Sequence, residues 1–329
     1  MQFLSFLSDP YYYSLCLYIL GTVSLPIHIF GAYCILFQTP AVMNRVKWVM
    51  FNLHFWSCSL DILLGILGQP FIIPPAFGGI PMGLLHHCGV NSGVMVYLMV
   101  TLIELVSFSC NAIFENRFFI LFAEDSWWRI GRYPWYLANV AMSVLYFVPT
   151  MMGVPDQEVA REWIFKNYPE IRHFDDPTHP IYVVAYEPKA REYIGYRMIA
   201  SSAIFFFELC FFFFLLRWNM KKAGKNMTMS PKTFEAHRAF MKAINMQIAI
   251  PFLVISFPQG CVMGLGFLDI PSPEMNSLGY MTMSIHGSLA TLIMLYWHVP
   301  YNQYCSKLFC RNSERLNFFR SKQTCVSIT

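Results

Sequence analysis

The chain has 329 residues, of which 13% are charged and 56% hydrophobic, and its mean hydropathy is +0.44. A typical soluble domain is about 25% charged, so a water-soluble globule is excluded. Disorder is excluded too, because so apolar a chain buries surface readily.

A hydrocarbon core about 30 Å thick needs about 20 mostly apolar residues per helix, with each backbone group satisfied inside its own segment. Seven windows of that kind follow one another. The first, 13–37, carries no charge; 48–73 is interrupted only by Asp61, and 91–114 only by Glu104. The fourth, 134–154, is clean, and 194–218 holds Arg197, Glu208 and a run of four phenylalanines. The sixth and seventh, 244–268 and 276–300, lack formal charge. The predicted fold is an all-α integral membrane bundle of seven helices over residues 1–304, followed by a basic tail at 305–329. Only the connection 155–193 is long enough to hold structure of its own. The chain starts without Lys or Arg ahead of the first span, so that span is expected to be retained as an anchor and not cleaved.

The formal net charge of +4 conceals an asymmetry. Seventeen Lys and Arg fall on one side of the predicted spans and five on the other, all five within 155–193. Basic residues are retained on the cytoplasmic side, which predicts an outside N-terminus and an inside C-terminus. A basic inner face follows from topology alone, so nucleic acid is not implied as a partner.

Six of the ten cysteines lie in spans, where Cys acts as a small hydrophobe, and three are on the reducing side. Cys88 is left alone at the outer surface, and no disulfide is expected. Cys305 and Cys310 open a segment, 304–319, that mixes Leu and Phe with Lys and Arg. Two readings fit: an amphipathic helix on the inner leaflet anchored by palmitoylated cysteines, or a basic tail with free thiols.

Carboxylates inside a span cost roughly 2.5–3.5 kcal/mol each at the helix centre, so each is expected to face the bundle interior. Asp61 is either a node that rearranges on activation or a structural hydrogen bond. Glu104, Phe108, Asn111 and Glu115 recur at helical spacing on one face of the third span. They form either a route from a ligand pocket to the inner surface or a packing seam with polar glue. Glu208 is the weakest of the three candidates. Pro26, Pro149, Pro251 and Pro258 are expected to kink their helices.

Catalysis finds little support. The adjacent pair His86-His87 does not set both rings on one helix face as a metal site requires, and Asp175, Asp176 and His179 fit a solvated turn better than a cation site. No phosphate loop, H-E-x-x-H or G-x-S-x-G motif occurs. The expectation is a non-enzyme without cofactor or metal.

Seven spans with a basic third inner loop and a basic tail describe a G-protein-coupled receptor by architecture. Particular strings go further: SLPIHIFGAYCILFQTP (24–40), VKWVMFNLHFWSCSLD (46–61), FENRFFILF (114–122), WWRIGRYPW (127–135), PDQEVAREWIF (155–165), QIAIPFLVI (247–255) and LATLIMLYWHVPY (289–301). In these the chain resembles the nematode serpentine receptor class H chemoreceptors of the Str superfamily. The resemblance implies a multi-pass plasma-membrane receptor in sensory-neuron cilia that binds small environmental chemicals and signals through a heterotrimeric G protein. Charge-poor, aromatic spans add the expectation of small volatile or weakly polar ligands. Glu115-Asn116-Arg117 looks like the family's counterpart of the Glu/Asp-Arg-Tyr motif at the G-protein face, although Asn116 separates the acidic and basic members. Two other function classes stay open at this point: a ligand-gated cation channel of the insect odorant-receptor type, which would place the N-terminus inside, and an orphan membrane protein that does not signal.

Overall fold

A computed structural model describes residues 6–73, 77–225 and 273–309, with scattered positions between 235 and 264. The predicted sixth span, the tail beyond residue 309 and Cys310 lie largely or wholly outside the described residues. Within them six helical segments are long and apolar enough to cross a membrane: Pro10–Phe37, Asn44–Leu67, Ser92–Ala123, Trp128–Met152, Pro188–Ala223 and Pro273–Trp297.

Each begins or breaks for a local reason. Helix α1 (Pro10–Phe37) starts where the Asp9 carboxylate accepts from the Tyr11 amide at 2.8 Å and Pro10 supplies the first helical position. Helix α2 (Asn44–Ile62) widens into a π turn at Leu63–Leu67 and stops there. The sequence predicts helix to residue 73. Instead Gly68, Gln69 and Pro70 end it, because the proline lacks an N–H and disfavours a helical residue before it. Gln69 takes the left-handed backbone (φ 43°), and its side-chain amide donates to the Gly65 carbonyl at 2.8 Å. Strands β1 (Pro70–Ile72) and β2 (Phe77–Pro81) follow, then a single helical turn, α3 (Leu84–His87).

Helix α4 (Ser92–Phe118), capped by Asn91, continues through a π turn to Ala123. It therefore runs nine residues past the predicted end of the third span. Helix α5 (Trp128–Leu145) breaks before the short α6 (Val148–Met152), which has Pro149 in its first turn. The long connection folds into α7 (Gln157–Asn167), a 3₁₀ turn and strand β3 (Tyr182–Ala185) before α8 (Pro188–Lys225). The seventh span is two helices, α9 (Pro273–Met283) and α10 (His286–Trp297), interrupted at Ser284–Ile285, and α11 (Val299–Phe309) leaves the bundle.

The strands form an antiparallel sheet in the order β1-β2-β3, an addition to the all-helical expectation. A side chain at Gly79 would meet the Phe71 carbonyl at 2.4 Å, so glycine is what lets β1 and β2 pair closely. The sheet covers one end of the bundle, packing Phe71, Ile80 and Val183 on Tyr13 and Leu17 of α1. We call this the sheet end.

The main core joins Leu53, Leu60 and Leu64 of α2, Val106, Ile113 and Phe114 of α4, and Phe212 and Leu216 of α8. Helical period splits the phenylalanine run: Phe212 is buried while Phe211 and Phe214 face outward. An apolar outer face of this kind is what lipid covers.

Candidate functional site

Asp61 is the most completely bound carboxylate in the bundle. It is 1% exposed, accepts three hydrogen bonds and makes a fourth polar contact with His286. Oδ1 lies 2.7 Å from His286 Nδ1, whose N–H also donates to the Met283 carbonyl at 2.8 Å, and it accepts from the Gly287 amide at 3.1 Å; Oδ2 accepts from His28 Nε2 at 3.1 Å and the Ser288 amide at 2.9 Å. Gly287 and Ser288 open α10, whose first amides have no helical partner of their own. The break in the seventh span thus exposes a helix N-terminus, and the Asp61 carboxylate from α2 satisfies it electrostatically and by hydrogen bonding. His28 joins α1 to the same atoms. A side chain at Gly287 would lie 2.9 Å from the Ser57 carbonyl and 3.0 Å from Asp61 Oδ2, so glycine there permits the approach. Beside the node is a cavity of about 10 Å³ lined by His54, Ser57, Gly287 and Thr291 among others, close to the minimum that holds one water.

The stripe on α4 turns towards α5 and α8. Glu104 accepts from Ser201 Oγ at 2.9 Å. Phe108 packs against the rings of Trp135 and Tyr136, with centroids 5.6 and 5.5 Å away. Asn111 donates to the Phe205 carbonyl at 3.1 Å and to Glu208 Oε2 at 3.2 Å. The other oxygen of Glu208 accepts from Trp135 Nε1 at 3.1 Å and Asn139 Nδ2 at 3.3 Å. Glu208 thereby ties α4, α5 and α8 together.

At the end of the bundle opposite the sheet, Glu115 is fully buried. It accepts from Trp128 Nε1 at 2.8 Å, Arg132 Nη2 at 2.9 Å and Tyr136 Oη at 3.1 Å. Arg132 also donates to Asn116 Oδ1 at 3.3 Å and lies over the Phe119 ring, 3.9 Å from its centroid. The acidic member of the triplet is thus latched to α5 and not to Arg117. Arg117 is itself buried and lies close enough to His298 for their charges to interact.

Two further predicted positions lie outside the bundle core. Cys305 on α11 packs half-buried in the cluster of Cys34 and Tyr301, and burial raises its thiol pKa. Cys88 is an exposed free thiol. At the sheet end, α3 brings His86 and His87 against His179, with ring centroids 4.6 and 5.7 Å away. His86 Nε2 donates to the Thr178 carbonyl at 2.9 Å. Burial first, then the two neighbouring imidazoles, lower the pKa of His179. The Thr178 amide and hydroxyl hold the Asp176 carboxyl below its ordinary pKa. No group of three or more His, Cys, Asp or Glu among the described residues is arranged to hold a metal ion.

Sequence reasoning found the carboxylates but missed their partners. A signal was available for Asp61: histidines within apolar spans are as costly as acids and call for the same search for a mate, and His28 and His286 both lie in charge-free windows. Trp128 and Arg132 were hidden in a segment read as a loop, and Tyr136 in a span read as clean.

Six described spans, with the predicted sixth span lying largely outside the described residues, make a seven-transmembrane helix bundle. Squid rhodopsin is a structural neighbour with a TM-score of 0.62, covering 97% of this chain and 92% of its own at 13% identity, a likeness of fold alone. The family model described as serpentine type 7TM GPCR chemoreceptor Srh matches residues 8–311, and the chain belongs to that family, one of receptors and not of enzymes. It is also similar to serpentine receptor class H-72 of Caenorhabditis elegans, 24% identical over 308 residues that cover 91% of this chain and 86% of that protein. The chain is accordingly a multi-pass membrane protein.

Proposed function

We propose that this protein is a chemosensory receptor of the plasma membrane, reading small environmental chemicals and activating a heterotrimeric G protein. The N-terminus and the sheet end face outward and the C-terminus inward, in keeping with the seventeen-to-five division of basic residues. The ligand site lies in the sheet-side half of the bundle, with Glu104 at its floor. Glu115, Asn116 and Arg117 form the coupling end, and sensory cilia are the place of action that suits such a protein.

One observation carries this reading. A single helix, α4, runs from a mid-bundle carboxylate to a buried Glu-Asn-Arg triplet, and its polar residues are bonded to α5 and α8. A ligand that moves α5 or α8 against α4 changes the bonds available to Glu115 at the far end. Purified receptor in lipid nanodiscs, mixed with G protein and a panel of small volatiles, is expected to accelerate nucleotide exchange. No acceleration by any chemical or any G-protein class would reject the reading. An N-terminal tag on intact cells is expected to be accessible without permeabilisation.

A further inference from the structure

The cationic groups of the bundle are almost all committed. His28 and His286 bind Asp61 and Arg132 binds Glu115. Arg197 donates to the Tyr146 carbonyl and, at 3.2 Å, to Thr150 Oγ1, and it lies against the Tyr146 and Tyr193 rings. Residues 243–272, which include the predicted sixth span, contain no Lys, Arg or His. Glu104 and Glu208 have no cation beside them among the described residues; neutral donors satisfy both oxygens of Glu208, whereas Glu104 has a single one. Glu104 is 9% exposed, and among the described residues its Oε2 takes one hydrogen bond, from Ser201, and Oε1 takes none. One turn nearer the sheet end, Thr101 is 8% exposed and its hydroxyl has no hydrogen-bond partner among the described residues. Above the two lies an apolar collar that includes Val100, Tyr146, Phe147 and Met198.

A carboxyl group in a low-dielectric interior keeps its proton when alone and ionises when a cation is brought to it, so Glu104 can take a cationic partner from outside the chain. We propose that Glu104 is the recognition point for a ligand bearing a protonated nitrogen, a small amine. The ammonium sits on the Glu104 carboxylate and donates to the free Thr101 oxygen. Its alkyl or aryl part lies in the collar. A volatile amine fits this arrangement because it reaches the membrane as the neutral base and gains its proton in water. The proposal rests on the chemoreceptor reading for the location of the pocket, and its test is kept separate from signalling.

The test is binding at pH 7.4 to purified receptor in nanodiscs, followed by tryptophan fluorescence. The probes are matched pairs: 2-phenylethylamine with 2-phenylethanol, and hexylamine with hexanol. The wild type is expected to prefer each amine. Glu104→Gln keeps the shape and the Ser201 hydrogen bond, and it is expected to weaken amine binding by about 30-fold or more while leaving the alcohols unchanged. Three outcomes would overturn the proposal: alcohols binding the wild type as well as amines do, an amine preference that survives in Glu104→Gln, or no amine binding to the wild type. The wild-type comparison decides even if the variant folds poorly. Amine binding without G-protein activation would uphold the site and remove the receptor function instead.

Discussion

Replacing Asp61 with Asn tests whether the carboxylate holds the broken seventh span in place. The side chain keeps its volume but loses its charge and turns one acceptor into a donor. If the new NH₂ takes the place of Oδ1, it meets His286 Nδ1–H and the Gly287 amide, two donors. If it takes the place of Oδ2, it meets His28 and the Ser288 amide. His28 can adapt by moving its proton to Nδ1, which has no partner, so the second orientation is the cheaper one. It still strands the Ser288 amide, at about 1–3 kcal/mol for a buried unpaired donor. The three surviving contacts, with His28, His286 and the Gly287 amide, also lose charge assistance, worth about 1 kcal/mol each. The sum is about 4–6 kcal/mol, similar to the cost of breaking a buried ion pair. Each kcal/mol moves the midpoint of a large domain by about 2 °C, so the apparent Tm in detergent is expected to fall by about 8–12 °C. His28→Ala should then cost much less in the Asn variant than in the wild type, because its partner is already impaired. An unchanged Tm, or fully additive losses, would refute the argument that Asp61 is the anchor.

Gly287→Ala adds a methyl group 2.9 Å from the Ser57 carbonyl; overpacking of this kind costs about 1–3 kcal/mol, and a lowered apparent Tm checks it. Glu115→Ala and Arg117→Ala are each expected to change ligand-dependent nucleotide exchange at equal surface expression, and unaltered exchange would remove them from the coupling end. The outer histidine cluster gives a pH prediction. His179 has a lowered pKa in the folded state, so the unfolded chain binds protons more readily and the stability of this contact rises with pH. It is present above the ordinary histidine pKa of about 6.5 and is lost as pH falls through the folded value. Hydrogen exchange of residues 176–181, corrected for the intrinsic pH dependence, should be faster at pH 5 than at pH 7.5, and His86→Gln should reduce that difference.

The spans were legible because lipid demands long apolar runs, and family membership because whole strings carry it. Their ends were harder to read. Residues 70–73 look like the continuation of an apolar helix, and hydropathy does not distinguish a buried strand from a buried helix over so short a run. The seventh span likewise gives no sign of its break in composition, since Ser284-Ile285 is compatible with helix; the break follows from a contact with Asp61, more than two hundred residues earlier. Carboxylate positions were visible and their roles were not. A helical stripe such as Glu104–Phe108–Asn111–Glu115 reports a shared face but not which neighbour that face meets, and here the neighbours were α5 and α8. The contacts of Glu208 were unreadable for the same reason, because its partners Trp135 and Asn139 lie on another helix.

The polar contacts also sort the bundle into two riveted blocks. One comprises α1, α2 and α10, joined at Asp61; the other comprises α4, α5 and α8, joined at Glu208 and Glu115. Between α2 and α4 the facing surfaces are Leu53, Leu60 and Leu64 against Val106, Cys110 and Ile113, crossed by hydrogen bonds from Asn52 to Ser109 at 2.9 Å and from Asn116 to the Arg45 carbonyl at 3.4 Å, with the Arg45–Glu124 ion pair at the end opposite the sheet. Hydrogen bonds are directional and break when displaced by an ångström, whereas methyl and methylene contacts are re-formed as they slide. Shear between the two blocks therefore concentrates on the greasy plane between α2 and α4, which makes the Asn52–Ser109 bond and the contacts of Arg45 the stops that set its resting position.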